Sequence, residues 1–215
     1  MATRIERGFD LAVARRGLRK ADPELGRWMR KLGVLPPESR WTERFDLVDA
    51  LARSILYQQL SGKAAATIVG RLEQAVGSSK LSAKHLGQAD DAAVRACGVS
   101  ANKLLALRDL ARHAAQGLIP SARQLDSLSD EQVIEQLSAV RGIGRWTVEM
   151  LLMFRLGRPD VFAKDDLGLR KGIQRLDALA AMPTAREAAA RAEAWAPHRT
   201  LASLYLWRIA DFKSA

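Results

Sequence analysis

Strand-like alternation is scarce in this chain, whereas apolar residues recur at three- and four-residue steps through segments rich in Ala, Leu, Arg, Glu and Gln, all strong helix formers. The fold class this dictates is all-α. A helix is predicted after the opening pair Asp22-Pro23, ending at Gly33, and "LPPESRW" then breaks the chain, leaving a short N-terminal arm. One long helix is predicted near Asp46 to Glu73. Others follow at Ser82 to Gln88, Asp90 to Cys97, Ala101 to Gln116, Asp130 to Val140, Arg145 to Leu156, Leu167 to Leu176, Ala185 to Trp195 and His198 to Asp211, separated by Gly, Pro, Ser or Asp stops. There is no internal repeat, and "AREAAARAEAWA" is Ala-rich as a helix is.

With 215 residues the chain can bury one core, or two lobes can share it. Lys and Arg total 34 against 24 Asp and Glu, a formal charge of +10. Such a balance favours polyanionic partners, nucleic acid first and an anionic membrane second, with a merely basic solvated surface as the bland alternative. Cys97 is the only cysteine, which excludes intramolecular disulfides, Cys-rich zinc modules and a four-cysteine iron–sulfur cluster, and leaves it a packing role. His85, His113 and His198 are scattered and form no ligand cluster. Neither a signal-peptide core nor a membrane-spanning run is present, so a cytoplasmic protein without a membrane partner is expected, nucleoid-associated if bacterial.

The stretch "VRGIGRWTVEM" joins two predicted helices, the first capped by Ser129 or Asp130. Gly142 and Gly144 allow positive φ and close backbone approach, the second helix offers unpaired N–H groups that favour a phosphate oxygen, and Ile143 can plug between the helices. The glycines fit neither a dinucleotide fingerprint nor a Walker-type loop. Taken alone they are equally a plain turn between packed helices. Downstream, "DVFAKDDLGLRKG" places Asp160, Asp165 and Asp166 before a basic helix, where any of them can serve as an N-cap.

Helix, "GIGRWT", helix and then "DVFAKDDLGLRKG" together resemble the helix-hairpin-helix DNA glycosylase superfamily, and within it the DNA-3-methyladenine glycosylase II family. The resemblance runs from "DPELGRWMR" to "YLWR". It implies two helical lobes around a central cleft, residues 46–156 carrying the hairpin and residues 1–45 with 157–215 forming the other, without the β-rich N-terminal domain of longer relatives. It implies that Gly142, Ile143 and Gly144 grip a backbone phosphate, with a monovalent ion at the hairpin backbone of Gly142 and Gly144, and that Arg141 stands where many members carry proline. Asp166 falls on the catalytic position, with Asp165 as fallback. A carboxylate beside C1′ would stabilise the cationic sugar as the base leaves and can orient water, and capping is compatible with that task. Bifunctional members carry a lysine after "GIGR"; here Trp146 stands there, and tryptophan forms no Schiff base.

By the same resemblance the enzyme is monofunctional and flips its target nucleotide out of the duplex. Trp146 is the first pocket residue, since a π-face prefers a cationic alkylated purine by roughly 0.5–2 kcal/mol. Met150, Leu167 and His198 fall on other pocket positions that can be aromatic in the family, and Tyr57 belongs to the pocket or the core. Gln59, in "SILYQQLSGKAAATIVGR", matches the intercalating position of a helix-turn-helix segment, with Ser61 capping the next helix. Lys103, Arg141, Arg145 and Lys171 are the expected phosphate contacts, which add affinity without sequence preference. Trp195 and Trp207 are read as structural. The implied activity is hydrolysis of the N-glycosidic bond of alkylated purines, 3-methyladenine and 7-methylguanine, in damaged double-stranded DNA, by a monomer without a cofactor. A glycosylase for other lesions and a non-catalytic DNA-binding hairpin module are the alternatives.

Overall fold

Most helices of the computed structural model open on a Ser, Thr or Asp whose side chain accepts a first-turn amide, the arrangement that satisfies donors a helix cannot pair internally. Asp10 caps α1 (Leu11–Ala21), Asp22 caps α2 (Pro23–Leu32), Asp46 caps α3 (Leu47–Tyr57) and Ser61 caps α4 (Gly62–Val76). Ser82, Asp90, Ser100, Ser121 and Ser129 then cap α5 (Ala83–Gln88), α6 (Asp91–Ala96), α7 (Ala101–Ala115), α8 (Ala122–Ser127) and α9 (Asp130–Ser138). α10 (Arg145–Leu151) runs on as a π-helical turn, Leu152–Leu156. Asp166 caps α11 (Leu167–Leu176) and Thr184 caps α12 (Ala185–Ala192), with α13 (Arg199–Asp211) closing the series. The structure describes residues 7–43 and 45–213; the first six residues of the expected N-terminal arm, Arg44 and the last two residues lie outside it. The fold is all-α, with no strand among the described residues. No helix among them is long and apolar enough to cross a membrane.

The long helix expected from periodicity over Asp46 to Glu73 is two helices broken at Gln58–Ser61, where Leu60 N–H bonds the Tyr57 carbonyl and Ser61 caps the next helix, as the helix-turn-helix resemblance implies. Gln and Ser tolerate helix well enough that periodicity alone hides the break. The N-terminal arm contains α1, which periodicity does not reveal because it is crowded with Arg and Lys and interrupted by Gly17; only Ala14 and Leu18 are deeply buried on it. The six-residue α8 is too short to show a period and is likewise absent from the sequence reading.

The chain forms two compact units, residues 7–43 with 149–213 and residues 45–148. The division falls inside α10 rather than after Leu156, because Leu152, Met153 and Leu156 are buried and the Met153 carbonyl accepts the buried Trp41 indole N–H at 2.7 Å. In that first unit the two ends of the chain are stitched at Asp22, which caps α2 and accepts hydrogen bonds from Trp195 Nε1 (2.8 Å) and Arg191. Trp195 is fully buried, as a structural role requires. The second unit packs α3 on α7, burying Leu51, Ile55 and Leu56 and Leu107 and Leu110, each leucine contributing about 1.5–3 kcal/mol. Cys97 is buried there and donates to the Ala93 carbonyl.

Candidate active site

In the unit of residues 45–148, α9 ends at a tight turn in which Gly142 adopts φ +78° and a Cβ would press on Ala106 at 3.2 Å, so glycine is required. Gly144 differs: a Cβ there would meet nothing within 4 Å. Its lack of a side chain keeps the space in front of the turn open to an outside group. The Gly142 and Gly144 amides have no acceptor among the described residues, whereas the Ile143 amide bonds the Val140 carbonyl and the Arg141 amide is taken by Asp109 at 2.8 Å. Ile143 is the plug expected of it, 3% exposed, so its side chain is withdrawn from any DNA contact. Arg145 and Arg141 are both exposed, and Arg145 pairs with Glu131, an exposed pair of the kind worth at most about 1 kcal/mol and therefore easily exchanged for a phosphate.

The break between α3 and α4 belongs to the same unit. Gln59 sits at its apex in the left-handed region, φ 57°, and is exposed together with Tyr57 and Leu60. For a side-chain-bearing residue that conformation costs about 1–2 kcal/mol and persists only where the surroundings enforce it. Two contacts enforce it. Gln58 Nε2 donates to the Gly142 carbonyl at 2.8 Å, tying this turn to the glycine hairpin. Lys103 Nζ donates to the Leu56 and Gln58 carbonyls at 2.7 and 2.8 Å, closing the orphaned C-terminus of α3.

Lys103 is therefore not the outward phosphate contact expected from its position; it is half-buried, and burial pulls its pKa below the ordinary lysine value. Replacing it with Met tests the difference. Removing two charge-assisted hydrogen bonds should lower stability by about 1.5–3 kcal/mol and slow excision from duplex DNA. The slope of log affinity against log salt should stay unchanged, whereas a residue that neutralised a phosphate would reduce it by about 0.9 on removal.

The unit of residues 7–43 with 149–213 holds the carboxylates. Asp160 is locked by Arg199, Oδ1 to Nε at 2.8 Å and Oδ2 to Nη2 at 2.9 Å; burial pushes its pKa up, but the Arg199 hydrogen bonds and charge outweigh that and hold it low. Asp165 is exposed and no hydrogen bond orients it among the described residues. Asp166 is half-buried and its Oδ1 accepts from the Leu169 amide at 2.8 Å and from Trp207 Nε1 at 2.9 Å. Cap and indole together fix the direction of the carboxylate.

The indole reaches Asp166 because α11 is smooth on the face it turns to α13. A Cβ on Gly168 would lie 2.7 Å from the Trp207 ring, and one on Gly172 would collide with the Leu206 carbonyl. Trp207 also stacks on Phe154, centroids 5.8 Å apart and planes at 26°. Sequence reasoning assigns Trp207 to structure alone; the signal that could have found it is the G-x-x-x-G spacing of α11, which lets the last helix approach the carboxylate.

Of the pocket candidates, Trp146 and Tyr57 lie in the hairpin unit, with Trp146 49% and Tyr57 42% exposed, so neither is a core residue. Met150 lies one turn beyond Trp146 on α10 and is half-buried. Leu167, beside Asp166, is 59% exposed. His198 starts α13 without capping it, its ring packed on α1 at Gly17. Lys171 is exposed on α11.

Comparisons with known proteins identify the family. Residues 52–198 match the family "HhH-GPD superfamily base excision DNA repair protein". DNA-3-methyladenine glycosylase 1 of Schizosaccharomyces pombe is 37% identical over 195 residues, covering 89% of this chain and 85% of the relative. The structure of the S. pombe 3-methyladenine DNA glycosylase Mag1 in complex with abasic DNA superposes with a TM-score of 0.80 at 36% identity, covering 94% of this chain and 100% of that one. The DNA-3-methyladenine glycosidase of Bacillus halodurans gives a TM-score of 0.82 at 34% identity, covering 92% of this chain and 89% of that one. The chain thus belongs to the HhH-GPD superfamily of base excision DNA repair proteins, as a DNA glycosylase.

Proposed function

We propose that this glycosylase excises 3-methyladenine and 7-methylguanine from double-stranded DNA, acting as a monomer, flipping the damaged nucleotide and leaving an abasic site in an uncut strand. The observation that carries the reading is the doubly anchored Asp166 carboxylate, fixed by a backbone amide and an indole N–H. As the bond from C1′ to the purine nitrogen breaks, its electron pair leaves with the base and a cationic purine departs neutral. The positive charge then sits on the sugar, where Asp166 stabilises it in a pre-set orientation. Water adds at C1′ and loses its proton to Asp166 or to solvent. Acid catalysis of the leaving group is unnecessary, because the leaving base is already cationic.

By resemblance Trp146 stands where bifunctional members carry a strand-cleaving lysine, and a tryptophan offers no amine for a Schiff base. In the hairpin unit Trp146 and Tyr57 supply π-faces for the flipped base and Gln59 fills the gap; in the unit of the carboxylates Met150, Leu167 and His198 are the further base-contacting candidates. Gly142 and Gly144 receive a backbone phosphate through their amides, and Arg141, Arg145 and Lys171 add charge. Among the described residues no group of His, Cys, Asp or Glu could hold a metal ion. At the hairpin the Gly142 carbonyl accepts from Gln58 and the Gly144 carbonyl from the Thr147 and Val148 amides, so an ion there would share these oxygens with their donors. Such an ion would supply attraction for a phosphate oxygen.

A duplex panel carrying 7-methylguanine, 3-methyladenine or a neutral deaminated purine tests this. The two cationic bases should be released and the strand should break only after alkali or heat. Spontaneous nicking, or release of the neutral lesion alone, would contradict it.

A further inference from the structure

A second concentration of positive charge lies in the unit that does not carry the glycine hairpin. α1 and α2 pack side by side, and between them runs a trough of about 560 Å³ lined by Arg16, Arg19, Lys20, Pro23, Arg27 and Arg30. All six are exposed. Arg16, Arg19 and Lys20 share one face of α1 and Arg27 and Arg30 one face of α2, at three- and four-residue spacing. Arg27 pairs with Glu24, and Arg16 is within electrostatic reach of Asp10, but no ion pair joins Arg16, Arg19, Lys20 or Arg30 to a carboxylate among the described residues.

Helix dipoles account for part of this, since Arg19, Lys20 and Arg30 lie in last turns, where a cation is favoured. They do not account for Arg16 and Arg27, which stand earlier. Like charges one turn apart repel, so five cations along one trough destabilise the free protein unless something neutralises them. The lining holds no carboxylate and only Pro23 as an apolar wall, which suits a small organic ligand poorly. Charges repeated about every 5.4 Å along two helices suit a chain of phosphates. The polyphosphate that a DNA glycosylase necessarily meets is its own substrate.

We propose that the α1–α2 trough is a second phosphate-backbone site, separate from the glycine hairpin, that holds duplex DNA outside the damaged nucleotide. It goes beyond the excision chemistry and makes no contact with the reacting atoms. Its use is to keep the enzyme on undamaged duplex between lesions.

The test substitutes Arg16→Gln, Arg19→Gln, Arg27→Gln and Arg30→Gln together in the full chain. A charge-matched control carries Arg71→Gln, Lys84→Gln, Arg123→Gln and Arg186→Gln, all exposed and outside the trough. On long undamaged duplex the trough variant should bind about 10- to 100-fold more weakly at moderate salt. Its log-affinity against log-salt slope should fall by about 2 to 4, since each phosphate no longer neutralised accounts for about 0.9. Single-turnover excision at saturating enzyme should stay within about twofold of the parent, so failure of this site and failure of the excision mechanism read out separately. Equal losses in the control, unchanged DNA binding, or a selective loss of binding to anionic phospholipid vesicles in place of DNA would each overturn the proposal.

Discussion

Asp166→Asn should lower single-turnover release of 7-methylguanine by about 10²–10³-fold while leaving duplex affinity unchanged. The substitution isolates charge from architecture. Asparagine is as good an N-cap as aspartate, and its carbonyl oxygen can still accept from the Leu169 amide and Trp207 Nε1. What disappears is the negative charge, whose interaction with the first turn of α11 is worth about 0.3–1 kcal/mol, so the melting temperature should move by only about 1–4 °C. Asp165→Asn, at an exposed position without an orienting hydrogen bond, should change neither rate nor stability. Trp207→Phe keeps the ring on Phe154 but removes the N–H, and a loss intermediate between these two is expected, about 10- to 100-fold for one hydrogen bond to a charged acceptor.

The second large effect has opposite signs for stability and activity. Gln59→Gly should raise stability by about 1 kcal/mol, because glycine adopts φ 57° without the Cβ penalty, giving a melting temperature higher by about 2–4 °C. Excision from duplex DNA should nevertheless fall by about 10- to 100-fold if Gln59 fills the vacated stack as proposed, since unstacking costs a few kcal/mol. A single-stranded substrate needs no wedge. There the loss should shrink to a few-fold, and equal losses on both substrates would remove Gln59 from the intercalating role. Calorimetry beside paired duplex and single-strand assays reads both signs.

The legible parts of this molecule are those that local chemistry dictates. Caps at Asp22, Ser129 and Asp166 and the glycine turn are visible as residue types at fixed offsets, and the helices they open fall within a residue or two of their expected starts. α1 stays hidden because its burial is confined to Ala14 and Leu18, set among solvent-facing arginines. The split of α3 from α4 is hidden in the periodicity and reached only through resemblance and the Ser61 cap, because the contacts that hold it are tertiary: Lys103, 47 residues from Leu56, and Gln58, 84 residues from Gly142.

The site divides the same way. Asp166 is legible as a candidate because a helix start is a local address, and Trp146 is proposed on resemblance alone, at the flank of the hairpin. Trp207 is misjudged from sequence because its hydrogen bond spans 41 residues and depends on the bare face of α11, a property of two helices rather than one. Lys103 is misassigned for a related reason. A basic residue near a predicted turn reads as solvent-facing until the carbonyls that claim it are located.

The claim at the centre of this account is that the Asp166 charge recognises a cationic sugar. Binding of two abasic duplexes, one with a protonated pyrrolidine ring and one with neutral tetrahydrofuran, tests it most directly. The parent protein should prefer the cationic ring by about 10²-fold, commensurate with a transition-state interaction, and Asp166→Asn should erase that preference without weakening the neutral duplex. A preference that survives the substitution would place the stabilising charge elsewhere and contradict the mechanism.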